Sequence, residues 1–265
     1  MFLSRDISTL PPISTINIQN KSKLNRLKPN AFIITGSCNS FRYNTTKANI
    51  ERAFPNFFNL ICFPSIPLND SRVHPYNIPL LKKLTSNLLA FVEIWTHEIP
   101  KYSTDNKLEW TFIFEDDVNF IDSPKPNVSN LSGPLEEMMN NSEIRGKDGF
   151  LYLGICSPTY SNDSELLLWK NRNYTIAGRK GHGYCLHASA ITAKRSKLFW
   201  SEISSYRPNL GDLSLDHQLR QYSIRSKRSF YTLGTNYEFP PGTGHFGIAY
   251  QDRGRFSSTV SDVLP

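Results

Sequence analysis

Short apolar runs recur along this 265-residue chain, separated by segments that are polar or carry a helical spacing of apolar residues. Six of the runs are rich in aromatic or β-branched residues, a composition that favours buried strands. The predicted strands cover residues 31–35, 57–63, 110–114, 149–155, 184–188 and 230–233. Because they alternate with helical segments, the pattern predicts an α/β fold.

Apolar residues at every third or fourth position predict the helices. The most regular pattern covers residues 79–99, where Pro79 suits the first helical turn. Shorter patterns cover residues 42–54, 135–139, 192–203 and 215–224. The side chains predicted to face inward are Ala48, Ile50, Ala53 and Phe54 in the first of these and Leu198, Phe199 and Ile203 in the third.

The order of these elements predicts a single domain over residues 31–265, built on a mostly parallel central sheet. Residues 1–30 are polar and interrupted by proline, which predicts a loosely structured N-terminal arm. Residues 122–133 are rich in Pro, Ser and Asn and predict a loop. No internal repeat divides the chain further.

Composition supports a folded protein, since 39% of the residues are hydrophobic and 12% are aromatic. The net charge of +7 suits an anionic partner, which could be a nucleic acid, a membrane surface or a phosphorylated small molecule, although a generally basic surface would give the same value. No nucleic-acid-binding motif is present, so nucleic acid is not expected as a partner.

The four cysteines are widely spaced and form no CxxC pair. This pattern indicates neither a zinc site nor a dense disulfide scaffold, and buried free thiols are expected. No apolar run has the length of a transmembrane segment or the position of a signal peptide, so a cytoplasmic location is expected. Eight N-x-S/T sequons leave a secretory-pathway lumen as the alternative.

Three carboxylates follow directly after an apolar strand in FIFEDDVNF, which begins at Phe112. They are Glu115, Asp116 and Asp117, and they lie where ligands bind in an open parallel sheet, beyond the carboxyl end of a strand. Oxygen ligands suit Mg²⁺ or Mn²⁺, and these ions often bridge carboxylates to phosphates. Solvated carboxylates without a ligand are the alternative. In an extended chain Glu115 and Asp117 would point to one side and Asp116 to the other.

Six segments carry a family resemblance in a constant order. They read AFIITGSCNSFR, LTSNLLAFVEIW, EWTFIFEDDVNF, GFLYLG, GHGYCLHASAITAKRSKLF and LSLDHQLRQ. Together they resemble glycosyltransferase family 25, which includes lipopolysaccharide galactosyltransferases and collagen galactosyltransferases, over residues 31–258. Two departures are Asn87, where the family usually has His, and the Asn-rich residues 127–141, which match no part of the family pattern.

The resemblance implies a GT-A-type nucleotide-sugar-binding domain and a metal-dependent hexosyltransferase. It would move galactose or glucose from a UDP-sugar to a glycan or protein hydroxyl, in lipopolysaccharide or glycoprotein biosynthesis, with Mn²⁺ or Mg²⁺ as the cofactor. The family's usual course implies inversion of the anomeric centre. The implied metal ligands are Asp117, Glu115, directly or through water, and His245 in PPGTGHFG. A glycine-rich turn with an incidental histidine is the alternative for His245.

The resemblance also implies donor-binding and catalytic residues. The donor-binding residues are Thr35, Gly36, Arg42, Asp116 and His182, and His182 could instead shape the acceptor cleft. Asp216 would be the base that takes the acceptor proton, with Asp212 as its substitute. Each has an ordinary alternative: a surface arginine for Arg42, a loop histidine for His182, and a carboxylate at a helix N-terminus for Asp216.

Two rival functions remain open. One is a catalytically silent glycosyltransferase-like domain that binds a glycan or protein, and the other is a metal-dependent phosphohydrolase. Convergence of Glu115, Asp117 and Asp216 on one cleft distinguishes an active transferase from a silent one.

Overall fold

The computed structural model describes residues 28–73, 79–102, 109–121, 131–170, 175–205, 214–235 and 238–256, without the side chains of 162–165, 167–170 and 175. Its strands are β1 (Asn30–Thr35), β2 (Asn59–Pro64), β3 (Trp110–Glu115), β4 (Val118–Phe120), β5 (Phe150–Tyr152), β6 (Cys156–Lys170), β7 (Thr175–Tyr184), β8 (Ala188–Thr192), β9 (Phe230–Thr235) and β10 (Ala249–Gln251). Its α-helices are α1 (Phe41–Ala53), α2 (Pro79–Glu93), α3 (Ile99–Tyr102), α4 (Ser132–Asn140), α5 (Ala193–Ser204) and α6 (Leu215–Ser226).

The main sheet has eight strands in the order β2-β1-β3-β8-β5-β9-β7-β6, and β4 pairs with β10 in a separate two-stranded sheet. The α/β class is confirmed. A mostly parallel sheet is wrong, because only β1–β2, β1–β3 and β5–β9 are parallel among the seven neighbouring pairs. Strand β8 lies antiparallel between β3 and β5, and β7 lies antiparallel between β9 and β6.

This arrangement still aligns the strands that matter for the site. Since β8 is antiparallel to both β3 and β5, those two strands point in the same direction, and β1 is parallel to β3. The carboxyl ends of β1, β3 and β5 therefore lie at one edge of the sheet. Chain segments that leave these ends can meet there.

Five of the six predicted strands are confirmed as β1, β2, β3, β5 and β9. The strand predicted over residues 184–188 is wrong, since β7 ends at Tyr184 and β8 begins at Ala188. Between them Cys185 has a positive φ of 68°, which an extended strand does not allow. Strand β6 and most of β7 were not predicted from the sequence. The pairing of these two strands is interrupted by register shifts.

The predicted helices are confirmed, with two corrections to their inward faces. The long pattern over residues 79–99 forms α2, continues as a π-helical segment over Ile94–Glu98 and ends in α3. Ala48 and Leu198, both predicted to face inward, are exposed. On these two helices the neighbouring residues Ile50 and Phe199 occupy the buried face instead.

Both faces of the main sheet are covered. On β3, Phe112 and Phe114 contribute to one apolar cluster, whereas Ile113 between them contributes to the cluster on the opposite face. Successive side chains of a strand point to opposite faces, so a strand buried on both sides is apolar at every position. This explains why FIF precedes the carboxylates.

The cysteines form two disulfides, Cys38–Cys62 and Cys156–Cys185, so the expectation of free thiols is wrong. Cys38 lies just beyond β1 and Cys62 lies on the neighbouring strand β2. Cys156 starts β6 and Cys185 directly follows β7, the strand that pairs with β6. Both pairings depend on strand adjacency, which spacing along the chain does not reveal.

Some predictions fall outside the described residues. They include Asp212, most of the 1–30 arm and residues 122–130 of the predicted loop. Residue 131 and those after it belong to or border α4, so the loop ends earlier than predicted. Among the described helices, none combines the length and apolar character needed to cross a membrane.

Gly247 packs directly against the backbone at the end of β5. A Cβ at this position would lie 2.1 Å from the carbonyl oxygen of Leu153 and 2.5 Å from the Cα of Gly154. We therefore expect Gly247→Ala to lower the free energy of unfolding by about 1–3 kcal/mol, because backbone atoms must move to accept the methyl group. Denaturant unfolding measures this change. Gly133→Ala is the matched control, since nothing lies within 4 Å of its Cβ position, and it should not reduce stability.

Candidate active site

The candidate site begins where β1 and β3 end side by side. Thr35, the last residue of β1, is buried, and its hydroxyl donates a hydrogen bond to Oδ2 of Asp116 at 2.7 Å. Arg42 in the first turn of α1 donates through Nε to Oδ1 of Asp116 at 3.0 Å. Its Nη2 lies 3.5 Å from Oδ2 of Asp117. Arg42 is thus a cation that faces two of the three carboxylates.

Local structure fixes the position of Arg42. Ser40 caps α1, because its side chain accepts a hydrogen bond from the backbone N–H of Tyr43 at 3.0 Å. The guanidinium group of Arg42 lies over the ring of Phe256, 5.1 Å from the ring centroid. Gly36 is exposed between Thr35 and this helix, and no atom lies within 4 Å of the position that a Cβ would take.

Strand β3 ends at Glu115, and Asp116 and Asp117 form the turn that leads into β4. The alternation expected for an extended chain therefore does not apply to the three carboxylates. Asp116 and Asp117 share Arg42 as a partner, whereas Glu115 makes different contacts.

Glu115 is held by two amide side chains. Its Oε1 accepts a hydrogen bond from Asn87 of α2 at 2.8 Å, and its Oε2 accepts one from Gln251 of β10 at 3.3 Å. Asn87, which departs from the pattern of glycosyltransferase family 25, therefore contacts one of the predicted metal ligands. Burial, together with the negative charge of Asp117, raises the pKa of Glu115 to about 8.

Asp117 is also buried, with 6% of its surface exposed. Among the described residues, its Oδ1 has no hydrogen-bond partner. Burial raises the pKa of Asp117 to about 6, although the charge of Arg42 opposes this shift. A buried carboxylate oxygen without a partner is unfavourable, and a cation bound there would compensate it.

Asp216 lies in the first turn of α6. Its Oδ1 accepts hydrogen bonds from the Ser214 hydroxyl and, at 3.0 Å, from the backbone N–H of His217. Its Oδ2 accepts one from the backbone N–H of Cys185 at 3.1 Å. Part of the role of this carboxylate is therefore to cap its own helix.

The connection between β7 and β8 joins Asp216 to the end of β3. Cys185 at one end of this connection donates to Asp216, and the carbonyl oxygen of His187 at the other end accepts from the backbone N–H of Glu115 at 2.9 Å. The negative charge of Asp216 contributes to the raised pKa of Glu115. The structure thus brings Glu115, Asp117 and Asp216 to the same edge of the sheet.

His182 lies on β7 opposite Thr159 and is half-buried. Burial and the charge of Arg220 lower its pKa. Two residues further along the strand, the ring of Tyr184 lies 4.7 Å from the guanidinium carbon of Arg220 and 4.8 Å from the ring centroid of His217. Arg220, His217 and Tyr184 were not singled out from the sequence, although Tyr184 belongs to the segment GHGYCLHASAITAKRSKLF.

His245 is placed differently from the other predicted ligands. It is 3% exposed, its backbone pairs with that of Cys156, and its ring centroid lies 5.4 Å from that of His187. In the described part of the chain its ring packs against His187, and no contact between His245 and Glu115 or Asp117 is seen there. A role for His245 beside those carboxylates stays a prediction.

The raised pKa of Glu115 gives a pH dependence of stability. The folded state holds this proton up to about pH 8, whereas the unfolded chain releases it near 4.5. Its contribution to stability is therefore fully present below 4.5 and is lost as the pH rises through about 8. We expect the melting temperature of the metal-free protein to fall over this range, and Glu115→Gln to reduce the slope. An equal slope in the variant would contradict the assignment.

Comparison with models of known protein families finds no match for this chain, and comparison with curated proteins finds no match either.

Proposed function

We propose that the protein is a metal-dependent glycosyltransferase of the GT-A type that uses a nucleotide sugar. The observation that carries the proposal is the buried Oδ1 of Asp117, which has no hydrogen-bond partner among the described residues and lies beside Glu115, a residue whose pKa is raised to about 8. The residues concerned lie at the edge where β1 and β3 end. Buried groups with perturbed pKa values are common at active sites.

The donor set fits a hard divalent cation. Asp117 and Glu115 offer carboxylate oxygens, and a neighbouring positive charge would lower both of their raised pKa values. When bound, Mn²⁺ or Mg²⁺ would supply charge that offsets the negative charge developing on the diphosphate leaving group. Asn87 and Gln251 orient Glu115, so they act as positioning residues for this site.

The donor side of the site is formed by the end of β1 and the start of α1. Thr35 donates to Oδ2 of Asp116, whereas Arg42 contacts Oδ1 through both Nε and Nη2, and these contacts fix the turn after β3. Gly36 is exposed with open space around it, so a ligand could approach its backbone closely. The guanidinium group of Arg42 can also offer donors to a phosphate or a ribose hydroxyl.

Asp216 is the proposed base. Its carboxylate would take the proton of the acceptor hydroxyl while the hydroxyl oxygen attacks the anomeric carbon, and the bond to the nucleoside diphosphate breaks. His182 and Tyr184 lie on the strand that ends beside Asp216 and would line the acceptor side. A neutral His182 suits a wall that binds sugar hydroxyls, because its ring can donate and accept hydrogen bonds.

A specific observation favours the catalytically silent alternative. Both oxygens of Asp216 already accept hydrogen bonds, and Arg42 compensates Asp116 and Asp117 without a metal. A domain that binds a glycan or protein would need no more than this arrangement. Turnover distinguishes the two functions.

The disulfides bear on the compartment. Two disulfides are typical of proteins that fold in an oxidising environment, and they favour the secretory-pathway lumen or another oxidising compartment over the cytoplasm. Three of the sequons, at Asn44, Asn69 and Asn140, have exposed asparagines, as glycosylation requires. We therefore place the proposed activity in an oxidising compartment.

The experiment that tests the proposal is a donor screen. Purified protein is incubated with Mn²⁺ and one nucleotide sugar at a time, and nucleotide release is recorded with and without a chelator. We expect release with a UDP-hexose that stops when the metal is removed. No release with any donor, combined with measurable glycan binding, would support the silent domain, and release of inorganic phosphate would support a phosphohydrolase.

A further inference from the structure

A second cluster of possible metal ligands is formed by residues other than the carboxylates. Cys156, Cys185, His187 and His245 each offer one ligand atom, and these four atoms lie within 4.8 Å of one another. In a tetrahedral zinc site, bond lengths of about 2.3 Å to sulfur and about 2.0 Å to nitrogen separate neighbouring ligand atoms by about 3.3–3.8 Å. The cluster is therefore close to the size that zinc requires.

The two histidines have the properties of ligands without a metal. His187 and His245 are buried, with 0% and 3% of their surfaces exposed. Within the described residues, neither nitrogen of His245 has a hydrogen-bond partner, nor does Nδ1 of His187. Buried imidazole nitrogens are normally satisfied, so their state needs an explanation.

The hydrogen bond of His187 selects the tautomer that a metal needs. Its Nε2 lies 3.2 Å from the carbonyl oxygen of Ala249, which can only accept, so Nε2 carries the proton and donates it. Burial lowers the pKa of His187 to about 3, which keeps the ring neutral. Its Nδ1 then presents a lone pair. A histidine whose other nitrogen donates to a backbone carbonyl is the usual arrangement at metal sites.

Packing against Gly154 also holds this ring in place, at the same Nε2 edge. A Cβ on Gly154 would lie 2.0 Å from Nε2 of His187, so the close approach of β5 to the ring requires glycine. The cysteines, by contrast, are only partly buried. The disulfide is thus the more accessible part of the cluster.

We propose that reduction of the Cys156–Cys185 disulfide converts this cluster into a Cys₂His₂ site for Zn²⁺. A dithiol reductant supplies two electrons and two protons, so the S–S bond breaks, two thiols form, and the reductant becomes a disulfide. Zinc then binds both sulfurs as thiolates and both imidazoles, and the two thiol protons go to solvent. The Cys38–Cys62 disulfide has no such histidine pair among its described neighbours and stays a plain cross-link.

The start of β6 and the connection after β7 would therefore be cross-linked under both oxidising and reducing conditions. In oxidising surroundings the disulfide holds these segments, and in reducing surroundings the metal holds them. Since the same connection bonds to Asp216 and to the backbone of Glu115, the candidate site would keep its geometry in both states.

The test uses Co²⁺ as a spectroscopic probe for zinc. The full chain is reduced with a phosphine, which does not chelate as dithiols do, and is titrated with Co²⁺. We expect one tightly bound Co²⁺ per chain with thiolate-to-cobalt charge-transfer absorption and the intense visible bands of tetrahedral cobalt, both displaced by Zn²⁺. The oxidised protein should show neither signal. Absence of these bands from the reduced wild-type protein would overturn the proposal.

Matched variants locate the site. The pair Cys156→Ser and Cys185→Ser should abolish the charge-transfer band, whereas the pair Cys38→Ser and Cys62→Ser, which removes the other disulfide, should retain it. His245→Ala should weaken Co²⁺ binding at least about tenfold. Asp117→Asn should retain the band, which separates this site from the carboxylates. Circular dichroism checks that each variant is folded, and a band that persists without Cys156 and Cys185 would contradict the assignment.

Discussion

Asp117→Asn is expected to lower metal-dependent nucleotide release by about 10²- to 10³-fold. The substitution keeps the size of the side chain but removes the negative charge that would bind the cation through Oδ1, the oxygen for which the described part of the chain offers no partner. It also removes one of the charges that raise the pKa of Glu115. The measurement is the steady-state rate with the best donor over a range of Mn²⁺ concentrations, and the deficit should persist at the highest of them.

Asp70→Asn is the matched control for this variant. Asp70 is an aspartate outside the site, and its described partner is Arg72, which also contacts Glu93. The same chemical change there should leave the rate and its metal dependence unaltered. Equal rates for wild type and Asp117→Asn would show that Asp117 does not bind the metal used in the reaction.

Asp216→Asn is expected to reduce transfer to an acceptor by about 10²-fold or more while leaving donor binding intact. The amide cannot take a proton from the acceptor hydroxyl, although its oxygen can still accept one hydrogen bond at the start of α6. The variant should therefore remain folded. Transfer is measured by product formation, and donor binding by calorimetry with the nucleoside diphosphate and Mn²⁺.

Ser214→Ala separates catalysis from helix capping at this position. It removes the hydroxyl that donates to Oδ1 of Asp216 but leaves the carboxylate in place. We expect a small loss of stability, typical of a lost helix cap contact, and less than a tenfold change in transfer. If both variants lost transfer equally and both lost stability, Asp216 would be a structural residue, as in a silent domain.

The pattern of apolar residues predicted the elements that carry the carboxylates. The side chains of Phe112, Ile113 and Phe114 pack on both faces of the sheet, so this run could be identified as a buried strand. Its carboxyl end could be identified as the place where the three carboxylates follow the strand. The helix over residues 79–99 was predictable for a related reason, because its apolar residues recur at intervals of three or four. Local periodicity and burial determine these features.

Features that depend on contacts between distant segments could not be predicted. The insertion of β8 between β3 and β5 makes the sheet mixed, and nothing in ASAIT specifies that position. Strand β6 contains the polar stretch TYSNDSE, which lacks the alternation that marks a strand, and its pairing with β7 supplies the missing stabilisation. The disulfides follow from that pairing and from β1–β2, so their prediction failed for the same reason.

The residues of the candidate site were likewise only partly predictable from the sequence. Glu115, Asp116 and Asp117 were identifiable as a group because they are adjacent in sequence. Their partners were not: Asn87 and Gln251 contact Glu115 from elements 28 and 136 residues away. The placement of His245 beside His187 also depends on a tertiary contact, made by the loop that packs on the end of β5.

We propose that the edge of the main sheet where β3 ends binds a divalent cation together with a nucleoside diphosphate. The direct test measures Mn²⁺ binding to the oxidised protein with and without UDP. The electron paramagnetic resonance signal of the free ion reports how much Mn²⁺ remains unbound. We expect one Mn²⁺ per chain that binds more tightly with UDP, is lost in Asp117→Asn and is retained in Asp70→Asn. No binding to wild type, or equal binding to Asp117→Asn, would contradict it.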